Sequence, residues 1–313
     1  MDIPVYLFTG FLEAGKTRFI QETMEDERFD TGEKTLLLVC EEGAEEFAPE
    51  KFCSNSVFIE TVDDEEDLEP KFLTSLLKKH SAKRVLVEYN GMWQLKSLFE
   101  ALPKNWVIAQ EFMFAETSTI INYNNNMRNL VADKITTAEL VVFNRYSPNV
   151  DKNELHKLVR NLNTKCAIAY EYPDGSVEYD EIEDPLPFDR DADVISIEDK
   201  DYAYFYRNLS EDLEFYNGKT VKFKCVVAKN RQLKNNELVI GRHIMSCCVD
   251  DITFAGFILL GKDFKSIENR EWVVVTAKIK LEHNNVYGKV GPVLYMQDIA
   301  KTSMPEEEVA TFY

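Results

Sequence analysis

Near the N-terminus, two glycines, a lysine and a threonine have the spacing of a phosphate-binding loop. The apolar residues 5–9 run directly into Gly10-x-x-x-x-Gly15-Lys16-Thr17. A strand before this pattern and a helix after it are the context that a P-loop requires. The two glycines let consecutive backbone N–H groups point at phosphate oxygens. Lys16 would reach the β- and γ-phosphates, and Thr17 would offer its hydroxyl to Mg²⁺. The residues predicted to hold the phosphates are Gly10, Phe11, Leu12, Glu13, Ala14, Gly15, Lys16 and Thr17.

Two glutamates follow apolar runs that are typical of buried strands. Glu41 comes after residues 36–40, and Glu88 comes after residues 85–87. The carboxyl ends of parallel strands form the ligand-binding edge of an open α/β sheet. Phosphoryl transfer needs carboxylates near Mg²⁺ and the attacking water. Gly91 would let its N–H approach the γ-phosphate. We therefore predict Lys16, Glu41, Glu88 and Gly91 as catalytic residues, with Thr17 and Glu88 holding Mg²⁺; the alternative for each glutamate is a solvent-facing strand end.

A third strand end carries Asn144-Arg145-Tyr146-Ser147. P-loop GTPases have Asn-Lys-x-Asp at this place and use it to bind the guanine base. Asn144 and Arg145 are therefore predicted to bind the nucleotide. Ser147 stands where an aspartate would accept hydrogen bonds from guanine, so the residues leave the choice between GTP and ATP open.

These motifs, in this order, resemble the CobW/HypB/UreG-type P-loop GTPases, above all the CobW metallochaperone branch. The resemblance covers residues 3–170 and includes Gly10-Phe-Leu-Glu-Ala-Gly-Lys-Thr17, Cys40-Glu-Glu-Gly43 and Glu88-Tyr-Asn-Gly91. It implies GTP binding, slow Mg²⁺-dependent hydrolysis and a metalloprotein client. The Cys-x-Cys-Cys motif of that branch is missing. Only Cys53 lies near its place, and one thiol cannot supply the four ligands that Zn²⁺ prefers.

The elements that must position these residues alternate between apolar strand-like runs and amphipathic helices as far as residue 170. The predicted strands cover residues 5–9, 35–40, 57–61, 84–88, 106–114, 139–144 and 166–170, and the predicted helices cover residues 17–24, 70–79, 94–102, 123–134 and 152–162. This alternation predicts an α/β domain with a doubly wound, mostly parallel sheet. Residues 171–200 are acidic and contain several prolines, which is typical of a connector. Strands predicted at residues 220–228, 238–242, 244–249, 253–260, 272–281 and 294–301 follow without intervening helices. Such a series predicts a small β-barrel. We predict a nucleotide-binding domain at 1–172, a connector with a short helix at 173–217 and a β-rich, OB-like domain at 218–313.

The second half carries its own motif, Arg242-x-x-x-x-Cys247-Cys248-x-x-Asp251. This stretch resembles the soluble C-terminal domain of the YcgQ-like family over residues 218–303. The resemblance implies an OB-like barrel and a permease-like membrane partner. Cys247 and Cys248 are low-ranked candidates for a transition metal such as Zn²⁺, together with His243 and Asp250. Neighbouring side chains of a strand point to opposite faces, and His243 and Cys247 would lie about 13 Å apart along it. Buried core thiols are therefore the favoured reading.

Composition narrows the class of protein. The chain has 313 residues, enough for two domains, and a net charge of −19, which disfavours nucleic acid and anionic membrane surfaces as partners. No apolar run reaches the roughly 20 residues of a membrane span, and six cysteines without a disulfide spacing favour the cytoplasm. We predict a P-loop NTPase coupled to a metal-related or partner-binding role. The alternatives are a nucleotide-gated adaptor or sensor with negligible turnover, and a P-loop kinase or ATPase; the client, the metal and homo-oligomer formation stay open.

Overall fold

The computed structural model describes residues 2–229, 233–246, 251–262 and 264–312. The chain divides into two units, 1–182 and 183–313. The predicted connector begins in the first unit and ends in the second. Two short strands lie in its acidic part, one in the sheet of each unit. No helix of the described residues is both long and apolar enough to cross a membrane.

The first unit is built on an eight-stranded sheet with the order β3-β2-β4-β1-β5-β6-β7-β8. Strands β1 to β7 run parallel to their neighbours, and only β8 is antiparallel. The predicted α/β fold with a large parallel sheet is confirmed and is consistent with a P-loop NTPase. The strands are β1 (Ile3–Thr9), β2 (Thr35–Val39), β3 (Val57–Thr61), β4 (Arg84–Glu88), β5 (Trp106–Glu116), β6 (Leu140–Asn144), β7 (Ala167–Glu171) and β8 (Val177–Tyr179).

Helices cover both faces of this sheet. They are α1 (Lys16–Glu25), α2 (Pro70–His80), α3 (Leu95–Ala101), α4 (Ile120–Asn126), α5 (Arg128–Thr137) and α6 (Lys152–Arg160). On β2, Leu37 packs in the cluster that contains Ile20 of α1, whereas Leu36 and Leu38 pack with Leu73 of α2. Successive strand side chains point to opposite faces, so α1 and α2 lie on different sides. The helix predicted over residues 123–134 is in fact two helices that meet at Met127.

The described residues of the second unit form a sheet of seven strands and two α-helices. Its elements are β9 (Val194–Ser196), α7 (Tyr202–Glu211), α8 (Leu213–Tyr216), β10 (Thr220–Ala228), β11 (Glu237–Met245), β12 (Thr253–Leu260), β13 (Trp272–Asn284), β14 (Lys289–Lys301) and β15 (Val309–Thr311). Residues 238–242 and 244–249 were predicted as two strands, but the described part of them belongs to the single strand β11. Five strands pair in a closed cycle, β10–β11–β12–β14–β13–β10. The apolar cluster of this unit draws on these strands and on α7.

Candidate functional site

The loop between β1 and α1 has the conformation that its glycines allow. Gly10 has φ +125°, and a Cβ there would lie 2.0 Å from the carbonyl oxygen of Phe114. Gly15 has φ +98°, and a Cβ there would lie 2.2 Å from Nδ2 of Asn144. Both backbones adopt a left-handed conformation and lie too close to a neighbour for any side chain. The two glycines therefore shape the loop and let it approach β5 and β6.

Lys16 lies inside the curve of this loop. Its side chain is buried, and Nζ donates hydrogen bonds to the carbonyl oxygens of Gly10 (2.8 Å) and Phe11 (3.0 Å). Nζ also forms an ion pair of 2.6 Å with Oε2 of Glu41. The ammonium group is thus held at the centre of the loop, where a P-loop lysine meets phosphate oxygens.

Glu41 connects Lys16 with the segment after β4. Its Oε2 accepts from Lys16, and its Oε1 accepts a hydrogen bond of 3.2 Å from the backbone N–H of Gly91. Gly91 lies tightly against the loop, since a Cβ there would be 2.7 Å from the carbonyl oxygen of Gly10. Lys16 and the N–H of Gly91 are the two groups predicted to meet the γ-phosphate. The carboxylate of Glu41 contacts both groups, so an anionic group lies where the γ-phosphate is predicted to bind.

Thr17 and Glu88 supply oxygen atoms beside this position. The Thr17 hydroxyl donates a hydrogen bond of 2.6 Å to Oε1 of Glu88. Glu88 is 2% exposed, and its Oε2 has no hydrogen-bond partner among the residues that the structure describes. Burial raises the pKa of Glu88, while the Thr17 hydrogen bond and the charge of Lys16 act in the opposite direction. An orphaned carboxylate oxygen next to a hydroxyl suits Mg²⁺, which prefers oxygen ligands. These residues therefore fit the predicted ion.

The remaining loop residues have different surroundings. Phe11 is buried and stacks on Tyr123 with ring centroids 4.3 Å apart, and Ala14 is buried as well. Leu12 is 47% exposed. Glu13 has φ +62°, and its Oε1 accepts a hydrogen bond of 2.8 Å from the N–H of Ala44. The side chain of Glu13 thus ties the phosphate-binding loop to the segment that follows Glu41.

Asn144 and Arg145 reach the same loop from the end of β6. Nδ2 of Asn144 donates to the carbonyl oxygen of Ala14 at 3.0 Å. Arg145 donates to the carbonyl oxygen of Glu13 and pairs with the carboxylate of Glu116. Both residues are therefore next to the P-loop, on the side away from Glu88's strand. Ser147 is half-buried and brings no carboxylate.

Two acidic residues at this edge of the sheet were not among the predicted site residues. Glu116 is the last residue of β5, and Glu171 is the last residue of β7. Glu88 was found by asking which carboxylates end buried strands, and the same rule applied to β7 reaches Glu171. The sequence interpretation ended that strand at Tyr170, one residue too early.

The candidates for a transition-metal site are described only in part. Cys247, Cys248 and Asp250 lie outside the described residues, so their predicted roles stay predictions. His243 is half-buried on β11 and packs against Phe254 at a ring-centroid distance of 5.3 Å. Cys53 donates from Sγ to the carbonyl oxygen of Asp26 at 3.3 Å. Within the described part of the chain, no three or more His, Cys, Asp and Glu side chains are arranged to hold a metal ion.

A comparison with models of protein families finds a match in the C-terminal part of the chain. Residues 176–310 match the family model of the DUF1980 C-terminal domain. The match confirms the resemblance predicted for the second half and extends it on both sides of residues 218–303. No curated protein sequence matches the chain.

Solved structures that are similar to parts of this chain include a HypB protein and the YjiA GTPase. The hydrogenase maturation factor HypB from Archaeoglobus fulgidus has 13% identity and a TM-score of 0.37, covering 54% of this chain and 80% of that one. The Zn(II)-bound YjiA GTPase from E. coli has 14% identity and a TM-score of 0.43, covering 85% and 91%. A Zn(II)-bound triple mutant of YjiA gives a TM-score of 0.43 at 13% identity, covering 86% and 92%. A HypB protein and a GTPase thus stand among the structures similar to this chain, in agreement with the resemblance of its N-terminal motifs.

Proposed function

We propose that the first unit binds a nucleoside triphosphate with Mg²⁺, with GTP as the first candidate, and hydrolyses it slowly. The observation that carries this proposal is the position of Lys16. Its ammonium group lies inside a glycine-shaped loop, 2.6 Å from a carboxylate that also accepts from the N–H of Gly91. A site that holds one anionic group between a lysine and a backbone N–H can hold a phosphate in the same way.

The chain's own residues would divide the work of phosphoryl transfer. Lys16, the loop N–H groups and the N–H of Gly91 would stabilise the negative charge of the γ-phosphate. Thr17 and Glu88 would hold Mg²⁺, which neutralises charge on the phosphate oxygens when it is bound. Glu88 or Glu41 would orient the attacking water for in-line displacement. Asn144 and Arg145 would fix the nucleotide from the end of β6.

The contacts of Glu41 supply a physical link between nucleotide and conformation. A γ-phosphate and the Glu41 carboxylate would compete for Lys16 and for the N–H of Gly91. Like charges at one place repel strongly, so the triphosphate must displace Glu41. The segment after Glu41 is also held to the loop through Glu13 and the N–H of Ala44. We infer that this segment rearranges on binding and signals the nucleotide state to a metal-related or other protein partner.

An adaptor with negligible turnover is the second candidate. The same contact of Glu41 favours this candidate. The Glu41 carboxylate contacts the two groups that would bind the γ-phosphate, so it competes with the nucleotide for them. In such an adaptor, nucleotide binding without hydrolysis changes the surface that contacts the partner. Turnover measured with and without candidate divalent metals separates the two, since an adaptor retains nucleotide-dependent changes without releasing phosphate.

We further infer that the second unit is an OB-like barrel. The closed cycle of pairings through β10, β11, β12, β14 and β13 supports this, because only a sheet closed on itself pairs its first strand with its last. The family resemblance implies a permease-like membrane partner for this unit. Cys247 and Cys248 are candidates for Zn²⁺ from their residue types, with buried core thiols as the favoured alternative. Metal analysis of protein purified without a tag tests the Zn²⁺ site.

The central experiment measures binding of Mg²⁺–GTP and Mg²⁺–ATP to the parent and to Lys16→Ala by titration calorimetry. We expect the variant to lose binding while keeping the circular dichroism spectrum of the parent. Lys79→Ala is the matched control, since Lys79 is an exposed lysine that pairs, among the described residues, with Glu60 at 2.6 Å. Triphosphate binding by Lys16→Ala with the affinity of the parent would overturn the proposed function.

A further inference from the structure

Glu171 lies beside Asn144 at the carboxyl edge of the sheet. Strands β6 and β7 are parallel, and Phe143 is the partner of Tyr170. The next residues along the two strands are Asn144 and Glu171, and neighbouring strands are about 4.8 Å apart. Glu171 is therefore the cross-strand neighbour of the amide that contacts the phosphate-binding loop.

The two side chains also share a face of the sheet. Phe143 and Tyr170 pack in the same apolar cluster, whereas Val142 packs in the cluster that contains Ile20 of α1. Because side chains alternate along a strand, Asn144 and Glu171 both point to the side of α1. The backbone fixes the end of β7 there, since the N–H of Tyr146 donates to the carbonyl oxygen of Glu171 at 2.7 Å.

The Glu171 carboxylate is available for a ligand. It is half-buried and makes no hydrogen bond or ion pair with any residue that the structure describes. Burial raises its pKa, and the charges of Arg18 and Arg145 act in the opposite direction. The two arginines mark its surroundings: Arg18 follows Thr17 on α1, and Arg145 follows Asn144. Glu116, the carboxylate that ends β5, is already paired with Arg145.

We propose that Glu171 is the residue that selects the nucleobase, taking the role that the side chain at position 147 cannot fill. Its carboxylate would accept hydrogen bonds from N1–H and the N2 amino group of guanine. Adenine offers no such pair of adjacent donors, and xanthine has a carbonyl oxygen in place of the N2 amino group. The site would therefore prefer GTP. This inference rests on the proposed function, because it names the base that the same site recognises.

The test compares GTP, ATP and XTP on the parent and on Glu171→Gln by titration calorimetry. The parent should prefer GTP to ATP. A charge-assisted hydrogen bond is worth about 1.5–3 kcal/mol, so the variant should lose about ten- to a hundredfold of that preference. The amide of the variant can donate to the xanthine oxygen, so XTP should bind more tightly than to the parent. A gain of this kind cannot come from misfolding.

Glu178→Gln is the matched control, because Glu178 is an exposed carboxylate on the adjacent strand β8 and pairs with Lys152 at 2.7 Å. It should bind all three triphosphates like the parent. If the parent binds through Lys16 but Glu171→Gln keeps the GTP:ATP ratio and gains no XTP, the role of Glu171 is overturned and the proposed function stands. A parent that binds no triphosphate, or binds it equally well as Lys16→Ala, overturns both.

Discussion

The hydroxyl of Thr17 and the carboxylate of Glu88 are joined by a hydrogen bond of 2.6 Å between residues 71 positions apart in the chain. The bond connects the first turn of α1 with the end of β4. Within the described part of the chain, Oε2 of Glu88 stays buried without a hydrogen-bond partner. An unsatisfied buried carboxylate oxygen costs about 1–3 kcal/mol or more. A bound divalent cation would recover this cost, so metal binding and local stability should be linked.

Thr17→Ala should weaken the dependence of nucleotide binding on Mg²⁺. The variant loses one oxygen ligand and the donor that orients Glu88. We expect the Mg²⁺ concentration at half-maximal GTP binding to rise about tenfold, measured by titrating Mg²⁺ at fixed nucleotide. Thr23→Ala is the control on the same helix, because the Thr23 hydroxyl bonds only the carbonyl oxygen of Phe19 at 2.7 Å. An unchanged Mg²⁺ midpoint in Thr17→Ala would remove Thr17 from the metal site.

Glu41→Gln should bind the triphosphate more tightly and hydrolyse it more slowly. The substitution removes a negative charge that competes with the γ-phosphate for Lys16. We expect about a tenfold lower Kd together with a lower kcat, from calorimetry and phosphate release. Glu42→Gln, an exposed neighbour, should change neither quantity. A Glu41→Gln chain with weaker binding would show that Glu41 helps to hold the nucleotide instead of competing with it.

Gly10→Ala should destabilise the first unit far more than Gly32→Ala. Both glycines have a positive φ, +125° and +73° respectively, so both substitutions strain the backbone. Only at Gly10 would the new Cβ strike another atom, the carbonyl oxygen of Phe114 at 2.0 Å. We expect a loss of about 1 kcal/mol for Gly32→Ala and more than about 3 kcal/mol for Gly10→Ala, measured by urea unfolding. Equal losses would mean that β5 yields to the added methyl group.

Glu111 should give the stability a distinctive pH dependence. It is buried, and burial raises its pKa from 4.5 to about 7, although Thr137 donates to it. The folded state therefore holds a proton that the unfolded state releases above about pH 4.5. The contribution of Glu111 to the free energy of unfolding falls as the pH rises from about 4.5 to 7 and is constant above that. At 1.4 kcal/mol per pH unit the total is at most about 3 kcal/mol.

Glu111→Gln removes this titration. The variant should be more stable than the parent at pH 8, and the difference between them should shrink toward pH 5. Urea unfolding at several pH values measures the free energy of unfolding of both chains. Subtracting one from the other cancels the titration of the other carboxylates. A difference that does not vary between pH 5 and 8 would show that Glu111 is ionised in the folded chain.

Ser147→Asp should rescue the preference for GTP in a chain that already carries Glu171→Gln. The aspartate restores the acceptor that guanine meets in related GTPases. We expect the GTP:ATP affinity ratio of the double variant to rise about ten- to a hundredfold above that of Glu171→Gln alone. If the ratio does not rise, residue 147 lies out of reach of the base.

The sequence by itself determined the parts whose signal is local. The spacing of Gly10, Gly15, Lys16 and Thr17 predicted the loop, because the residues that cradle a phosphate are contiguous in the chain. Apolar runs predicted the first seven strands, since strands buried on both faces must be apolar throughout. The strand-end rule placed Glu41 and Glu88 at one edge of the sheet, because parallel strands end on the same side.

The tertiary structure decided everything that depends on which strands are neighbours. That Glu41 lies between Lys16 and Gly91 follows from β2 and β1 both pairing with β4. That Glu171 lies beside Asn144 follows from the register of β6 with β7. The same holds for β10, which pairs with both β11 and β13 and so closes the cycle of strands in the second unit. Spacing along the chain is set by local backbone geometry, whereas pairing and register are set by how distant apolar faces bury one another. The sequence of a single chain therefore does not reveal which strands pair or in which register.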